Sequence, residues 1–127
     1  MLLSHGEIEI SRIDNVITSV FIGAFNVESL RDYTKKIKSI VTALNDKPFA
    51  MIIDDTKLEG GTPEAFEELE SLNAWISNTQ LKAKAFVINS ELNKEIILAR
   101  TPSLSLQNAK FFLNHQEANA WLETFFE

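Results

Sequence analysis

The chain of 127 residues contains no cysteine, which excludes disulfide bonds, thiolate metal sites and cysteine nucleophiles. It also lacks any apolar run close to the ~20 residues that cross a bilayer. The first residues, Met-Leu-Leu-Ser-His-Gly-Glu, lack the basic region and the long apolar core of a secretion signal. We therefore expect a cytoplasmic protein with no stable insertion into a membrane.

Basic residues are also fewer than acidic residues. Lysine and arginine number 12 against 18 acidic residues, and the formal net charge is −6. Nonspecific binding to nucleic acids depends largely on basic side chains that contact phosphates, and docking on an anionic membrane needs a polybasic patch. The composition therefore argues against nucleic acid as a partner and against electrostatic membrane attachment.

The charges are distributed unevenly along the chain. Residues 59–70 include no basic side chain, whereas residues 31–38 carry four basic side chains and one aspartate. The carboxylates of the acidic segment are Glu59, Glu64, Glu67, Glu68 and Glu70. Solvated helix faces explain both segments. The alternative is that helix surfaces of opposite sign orient a contact with a partner or with a second copy of the chain.

Apolar periodicity predicts a single domain over residues 1–127. Strands are predicted at 7–12, 16–22, 49–53, 83–88 and 109–113, and four helices at 27–44, 63–76, 92–99 and about 115–125. Strands that alternate with helices indicate an α/β fold with a mixed, mostly parallel five-stranded sheet. The first strand follows a tight turn and is expected to run antiparallel at or near an edge. The order of the strands stays open.

The segment 49–72 is the most informative part of the chain. A buried strand is predicted to stop at two aspartates, and a glycine-containing loop then leads to a helix with Thr62 as N-cap and Pro63 at the first position. Loops at the carboxyl ends of strands commonly bind ligands or partners in α/β proteins. The predicted binding surface comprises Asp54, Asp55, Thr56, Gly60, Gly61, Thr62, Glu64 and Trp75.

Three stretches carry a resemblance to a known family: MIIDD at 51–55, GGTPEAFEEL at 60–69 and AKFFLNHQEANAWLETF at 109–125. In this order and spacing they resemble the SpoIIAA-like proteins, a branch of the anti-sigma-factor-antagonist (STAS) superfamily, over nearly the whole chain. The resemblance implies a small βα sandwich, related in fold to the lipid-binding CRAL-TRIO domains. It also implies the absence of enzymatic activity.

The resemblance raises the question of a phosphorylation switch. The better-known antagonists are phosphorylated on a serine at the start of the helix that follows this strand, within Asp-Ser-Ser-Gly. Here Thr62, Pro63 and Glu64 stand at that junction. A phosphate on Thr62 would gain from the helix N-terminus but would be repelled by neighbouring carboxylates. An N-cap is the favoured interpretation of Thr62, and a phosphoacceptor is the alternative.

The two aspartates could form a metal site or an acid–base pair only with a third ligand or a histidine close by. Glu59 and Glu64 are the nearest candidates in sequence. The favoured interpretation is that Asp54 or Asp55 accepts hydrogen bonds from loop amides and orders the glycine pair.

His5 and His115 stand far apart and are expected at the surface or at a helix cap. The chain contains no Gly-x-Ser-x-Gly elbow and no phosphate-binding glycine loop. We therefore predict no catalytic residue, no metal and no cofactor.

Three hypotheses about function follow. The favoured one is a non-catalytic module that binds a protein partner or forms a homodimer through residues 54–62 and the adjacent helix. The alternative is a carrier or sensor of a small apolar ligand, with a pocket between the acidic helix and residues 92–106, where several apolar side chains lie off the core stripe. The least favoured is an enzyme that uses Asp54, Asp55 or Glu64.

Overall fold

The fold is known from a computed structural model that describes residues 6–126. The strands are β1 (Glu7–Ile13), β2 (Val16–Phe25), β3 (Phe49–Gly61), β4 (Leu81–Val87) and β5 (Ala109–Phe112). The helices are α1 (Val27–Ala43), α2 (Pro63–Ile76), α3 (Glu91–Arg100) and α4 (His115–Glu123). A short 3₁₀ helix at Pro102–Leu106, which the sequence did not predict, follows α3. His5 lies outside the described residues.

The strands form one sheet in the order β1-β2-β3-β4-β5. Strand β1 is antiparallel to β2 at an edge, and the other neighbouring pairs are parallel. The α/β fold with a mixed, mostly parallel sheet is therefore confirmed, together with the antiparallel first strand. Because the parallel strands advance across the sheet in one direction through right-handed crossovers, α1, α2 and α3 cover the same face. Helix α4 follows the last strand and packs on the opposite face.

The helices begin where local sequence signals predict. The side chain of Thr62 accepts a hydrogen bond from the backbone N–H of Ala65 at 3.1 Å, and Pro63 occupies the first turn of α2. Asn114 caps α4 by accepting from the N–H of Glu117 at 2.8 Å. Each cap satisfies a backbone donor that has no partner inside its helix. The predicted caps Thr62 and Asn114 are therefore confirmed.

Two predicted strand ends are wrong. Strand β2 does not stop at Gly23 but continues to Phe25, because glycine adopts the required φ of +90° without strain. Strand β3 does not stop at the two aspartates. It stays paired with β2 as far as the Phe25–Gly61 pair, so residues 54–61 form a strand and not the predicted loop.

The two faces of the sheet carry cores of different size. Beneath α1, α2 and α3 the core includes large side chains from all of these helices, among them Tyr33, Ile37 and Leu72. Beneath α4 the core is smaller and rich in alanine, and consists of Ala50, Ile52, Ala83, Ala85, Val87, Ala118 and Leu122. The first half of β3 is therefore buried on both faces, as its uninterrupted apolar sequence predicts.

None of the helices within residues 6–126 combines the length and apolar character that a membrane span requires.

Candidate functional site

The second half of β3 extends beyond the end of its neighbouring strand β4. Strand β4 pairs with β3 only as far as Val87 and Asp54, whereas β2 continues to pair with β3 up to Gly61. On the side of β3 where β4 has ended, two side-chain amides form some of the hydrogen bonds that a neighbouring strand would otherwise form. Asn89 donates to the carbonyl of Thr56 at 3.0 Å, and Asn93 reaches the carbonyl of Leu58 at 3.5 Å. We call residues 56–61 on this side the outer edge of β3.

A β-bulge lies where the outer edge begins. Val20 is paired with Asp54 and Ile22 with Lys57, so β3 contains one more residue than β2 over this interval. Asp54 stabilises the bulge, because its Oδ1 accepts from the Thr56 N–H at 2.9 Å and from the Thr56 hydroxyl at 2.7 Å. A bulge re-aims the side chains around it. Here it allows both Asp55 and Leu58 to face the helices α1, α2 and α3.

Asp54 faces the other side of the sheet, where α4 begins. Its Oδ2 lies 2.7 Å from Nε2 of His115, the first residue of α4. Burial tends to raise the pKa of Asp54, but the hydrogen bonds from Thr56 and His115 outweigh it and hold the pKa below its ordinary value. His115 is exposed, as expected, but its bond to Asp54 was not foreseen because the two residues are 61 positions apart.

Asp55, in contrast to Asp54, is buried without a hydrogen-bond partner among the described residues. Its residue is only 4% exposed, and it lines a cavity between the sheet and helices α1, α2 and α3. No hydrogen bond from any residue within 6–126 reaches its carboxyl group. Burial and, to a smaller extent, the charge of the neighbouring Asp54 raise the pKa of Asp55 to about 7, while Lys84 opposes the shift.

Lys84 is a second ionisable group in the same cavity. It is 2% exposed, and its Nζ donates to Oδ1 of Asn73 at 2.9 Å. Burial lowers the pKa of Lys84 to about 7, and the charge of Asp55 acts against this. The two groups line the same cavity but form no ion pair with each other. Sequence reasoning missed Lys84, although a lysine inside the apolar run Ala83–Ile88 is an unusual signal.

A buried hydroxyl pair completes the polar part of this region. Tyr33 on α1 and Ser19 on β2 are hydrogen-bonded at 2.7 Å, and both side chains are almost completely buried. Burial raises the pKa of Tyr33, the bond to Ser19 lowers it, and the charge of Asp55 raises it. The Tyr33 hydroxyl therefore stays protonated, and it is another group that sequence reasoning did not find.

The remaining predicted residues lie in three places. Gly60, with a φ of +134°, and Gly61 line the cavity at the end of β3. Thr62 and Glu64 are exposed just beyond it, in the first turn of α2. Trp75 lies apart from them near the end of α2, where the Lys38 ammonium is 5.3 Å from the centre of its ring. It does not line the cavity.

Asp54 and Asp55 do not form a metal site with other side chains of the described residues. Within residues 6–126, no group of three or more histidine, aspartate or glutamate side chains is arranged to hold a metal ion. Adjacent positions on a strand point to opposite faces, so Asp54 and Asp55 cannot converge on one ion or one substrate atom. The region therefore contains a strand edge, a hydrogen-bonded surface pair and a cavity in which Asp55 has no hydrogen bond from the described residues.

Comparison with known proteins identifies this architecture. A protein of the DUF3478 family with a SpoIIAA-like fold, from Shewanella loihica, is similar with a TM-score of 0.72 at 21% identity, over 96% of this chain and 97% of the other. An anti-sigma factor antagonist from Mycobacterium paratuberculosis is similar with a TM-score of 0.65 at 12% identity, over 96% and 95%. The fold is SpoIIAA-like.

No protein-family model matches the chain, and no curated protein matches it in sequence. At these levels of identity the two structures have the SpoIIAA-like fold in common with this chain, and each covers 96% of it. The chemistry of the site must therefore be argued from the residues of this chain itself.

Proposed function

We propose that the protein is a non-catalytic regulatory module that acts in the cytoplasm and binds another protein. Its contact surface is the outer edge of β3 together with the first turn of α2. The observation that carries this proposal is that β3 extends beyond the end of β4, so that one side of its last residues has no neighbouring strand among residues 6–126.

A strand edge of this kind supports recognition by strand addition. Backbone N–H and C=O groups along an unpaired edge can form a ladder with an extended segment of a partner. The carbonyls of Thr56 and Leu58 are held by two side-chain amides, and the longer of these contacts is 3.5 Å. A partner strand could displace such contacts at little cost and replace them with backbone hydrogen bonds.

The charge beside this edge indicates the chemistry of the partner. Two of the five carboxylates in the acidic segment are used inside the protein, because Glu68 accepts from Thr34 at 2.8 Å and Glu70 accepts from Ser103. The other three are exposed. They are Glu59, Glu64 and Glu67. We therefore expect the partner to present a basic surface, which would orient the encounter.

Thr62 is part of the same surface. Its hydroxyl oxygen accepts the hydrogen bond from Ala65 and thereby stabilises the start of α2. We propose that Thr62 acts as this cap and not as a phosphoacceptor, since a phosphate would be placed next to Glu64. The similarity of fold to a protein described as an anti-sigma factor antagonist supports a regulatory role exerted through protein contact.

The test compares partner capture by charge-reversed variants. Tagged wild type, Glu64→Lys and Glu117→Lys are used as bait in extracts of the native organism, with chemical crosslinking to map the contact. Glu117 is the matched control because it is also an exposed glutamate in the first turn of a helix, on the other face of the sheet. We expect Glu64→Lys to lose most of the captured partner and Glu117→Lys to retain it.

Two outcomes would contradict the proposal. One is that no protein is enriched by the wild type, and the other is that both variants capture the same partner equally well. Sedimentation of the purified wild type over a hundredfold concentration range addresses the homodimer. A dimer that dissociates in Glu64→Lys but not in Glu117→Lys would identify the partner as a second copy of the chain.

A further inference from the structure

The cavity beneath α1, α2 and α3 is distinct from the strand edge. Its walls are apolar and include Phe21, Phe25, Met51, Leu69 and Phe86. It provides about 50 Å³ of space for the centres of water-sized molecules. One water needs roughly 10–15 Å³ on this measure, so the cavity has room for a few waters or a small organic group. Its lining reaches the surface at Gly61, which is exposed.

Lys84, Asn73 and Tyr33 line the cavity and have hydrogen-bond partners, whereas Asp55 has none among the described residues. Asp55 is 4% exposed and accepts no hydrogen bond from the described residues, although a carboxylate can accept several. Within residues 6–126, the side-chain polar atom that is fully buried without a hydrogen-bond partner is Oε1 of Gln107, so the carboxyl oxygens of Asp55 do not belong to this class. Asp55 lies on the same face of β3 as Met51 and Ile53, and its carboxyl group therefore faces the cavity. Its oxygens leave acceptor positions that a ligand or a water in the cavity can use.

The charges in the cavity limit what such a ligand can be. Lys84 lines the same space and already has one bond, to Asn73. At pH 7, near the pKa of both groups, the opposite charges of Asp55 and Lys84 balance each other, so a charged ligand would leave a net charge in an apolar enclosure. An uncharged ligand keeps this balance. Its apolar body would fill the space between the aromatic and aliphatic walls.

We propose that the cavity binds a small uncharged alcohol, whose hydroxyl group donates a hydrogen bond to Asp55 and whose carbon chain packs against the apolar walls. Lys84 faces the same ligand as a second polar group. A longer alcohol would extend past Gly60 and Gly61 toward the surface. This inference does not depend on the protein-contact surface, because the polar contact to Asp55 lies outside residues 56–61, although Gly60 and Gly61 border both regions.

The test uses 1-butanol as the probe, with butyrate and butylammonium as charged probes of the same length. Binding is measured at pH 7 from the chemical shifts of backbone amides and side-chain methyl groups in ¹⁵N- and ¹³C-labelled protein. We expect 1-butanol to shift resonances of residues that line the cavity. Each charged probe should bind there at least tenfold more weakly.

Two variants locate the polar contact. Asp55→Asn keeps the shape of the side chain but replaces a charged acceptor by a neutral one, and should weaken 1-butanol binding at least fivefold. Asp54→Asn is the matched control, because it changes the adjacent carboxylate, which does not line the cavity. It should bind 1-butanol within twofold of the wild type.

Several outcomes would overturn the proposal. If none of the probes shifts the cavity resonances at 50 mM (a concentration of the order needed for a weakly bound fragment), the cavity holds water only. If all three probes bind equally, the polar groups do not select the ligand. Unchanged affinity in Asp55→Asn, or shifts confined to exposed apolar residues such as Leu92 and Leu106, would show that the contact with Asp55 does not form. The comparison of probes uses the wild type alone and decides the question even if Asp55→Asn fails to fold.

Discussion

Each face of the sheet contains one of two adjacent aspartates, and the two faces shift the pKa of their aspartate in opposite directions. Asp54 faces α4, where it bonds Thr56 and His115 and has a lowered pKa. Asp55 is its neighbour in the chain but faces the other three helices, has no hydrogen-bond partner among the described residues and has a raised pKa. The side chain alone does not decide the behaviour of a carboxylate. The difference arises from the pleat of β3 and from what covers each face.

The same contrast holds for packing. The face under α1, α2 and α3 carries large side chains around a cavity, whereas the face under α4 is built on alanines that let one helix lie close to the sheet. The first face therefore combines most of the apolar burial with the least satisfied polar groups. The second face is smaller but has its polar groups paired.

The largest expected effect comes from truncating a leucine on each face. Leu72→Ala on α2 should lower the free energy of unfolding by about 3–5 kcal/mol, because it enlarges an existing cavity that cannot collapse. Leu122→Ala on α4 should cost about 2–3 kcal/mol, since a single terminal helix can move inward. Both leucines are almost fully buried. Urea unfolding measures both values, and a larger loss for Leu122→Ala would reverse the comparison.

A smaller effect should appear in the pH dependence of Asp55→Asn. With a pKa of about 7 when folded and an ordinary value near 3.9 when unfolded, wild-type Asp55 holds a proton that the unfolded chain releases. The contribution of Asp55 to the free energy of unfolding of the wild type therefore decreases as the pH rises from about 4 to about 7. The variant has no such contribution to lose. From pH 5 to pH 8 the variant should gain about 2–3 kcal/mol relative to the wild type.

Asp54→Asn serves as the control in the same titration. The pKa of Asp54 lies below its ordinary value, so Asp54 is ionised in both the folded and the unfolded chain across this range. The stability difference between Asp54→Asn and the wild type should change much less from pH 5 to pH 8 than that of Asp55→Asn, because Asp54 acts in this range through the pKa of Asp55, which its charge raises. A flat profile for Asp55→Asn would mean that Asp55 is ionised or solvated in the folded protein.

The smallest expected effect concerns the surface pair. His115→Ala should lower the free energy of unfolding at pH 7 by about 0.5–1 kcal/mol, as is usual for a partly exposed pair. Because the pKa of Asp54 is lowered, this stabilisation is complete above about pH 4 and is lost as the pH falls through the folded-state pKa. Gln116→Ala, an exposed neighbour on α4, should show neither effect. Urea unfolding at several pH values tests both statements.

Features that depend on local chemistry could be predicted from the sequence. Thr62 and Asn114 mark helix starts because a side-chain oxygen beside free backbone donors is a cap wherever the helix packs. The succession of strands and helices along the chain, and hence the mixed sheet, followed from apolar periodicity, but the order of the strands across the sheet did not. The doubly buried first half of β3 was also predicted, from its uninterrupted apolar residues.

Features that depend on distant residues could not be predicted. The aspartates resemble a strand end in sequence, but pairing with β2 carries β3 on to Gly61 through a bulge. The bond between Asp54 and His115 and the contact between Lys84 and Asn73 each join segments that meet only in the folded sheet. The alternation of side chains along a strand was the available signal that Asp54 and Asp55 would face opposite sides.

The sequential order of the strands has a consequence for how the protein forms. Every strand after the first lies beside the one that precedes it in the chain, so no strand has to pair with one from much later in the sequence. The parallel pairs still join segments separated by a whole βα crossover, and such non-local pairing forms more slowly than the local contacts of a helix. During translation, each βα unit can add to the sheet as it leaves the ribosome, without waiting for the carboxyl terminus.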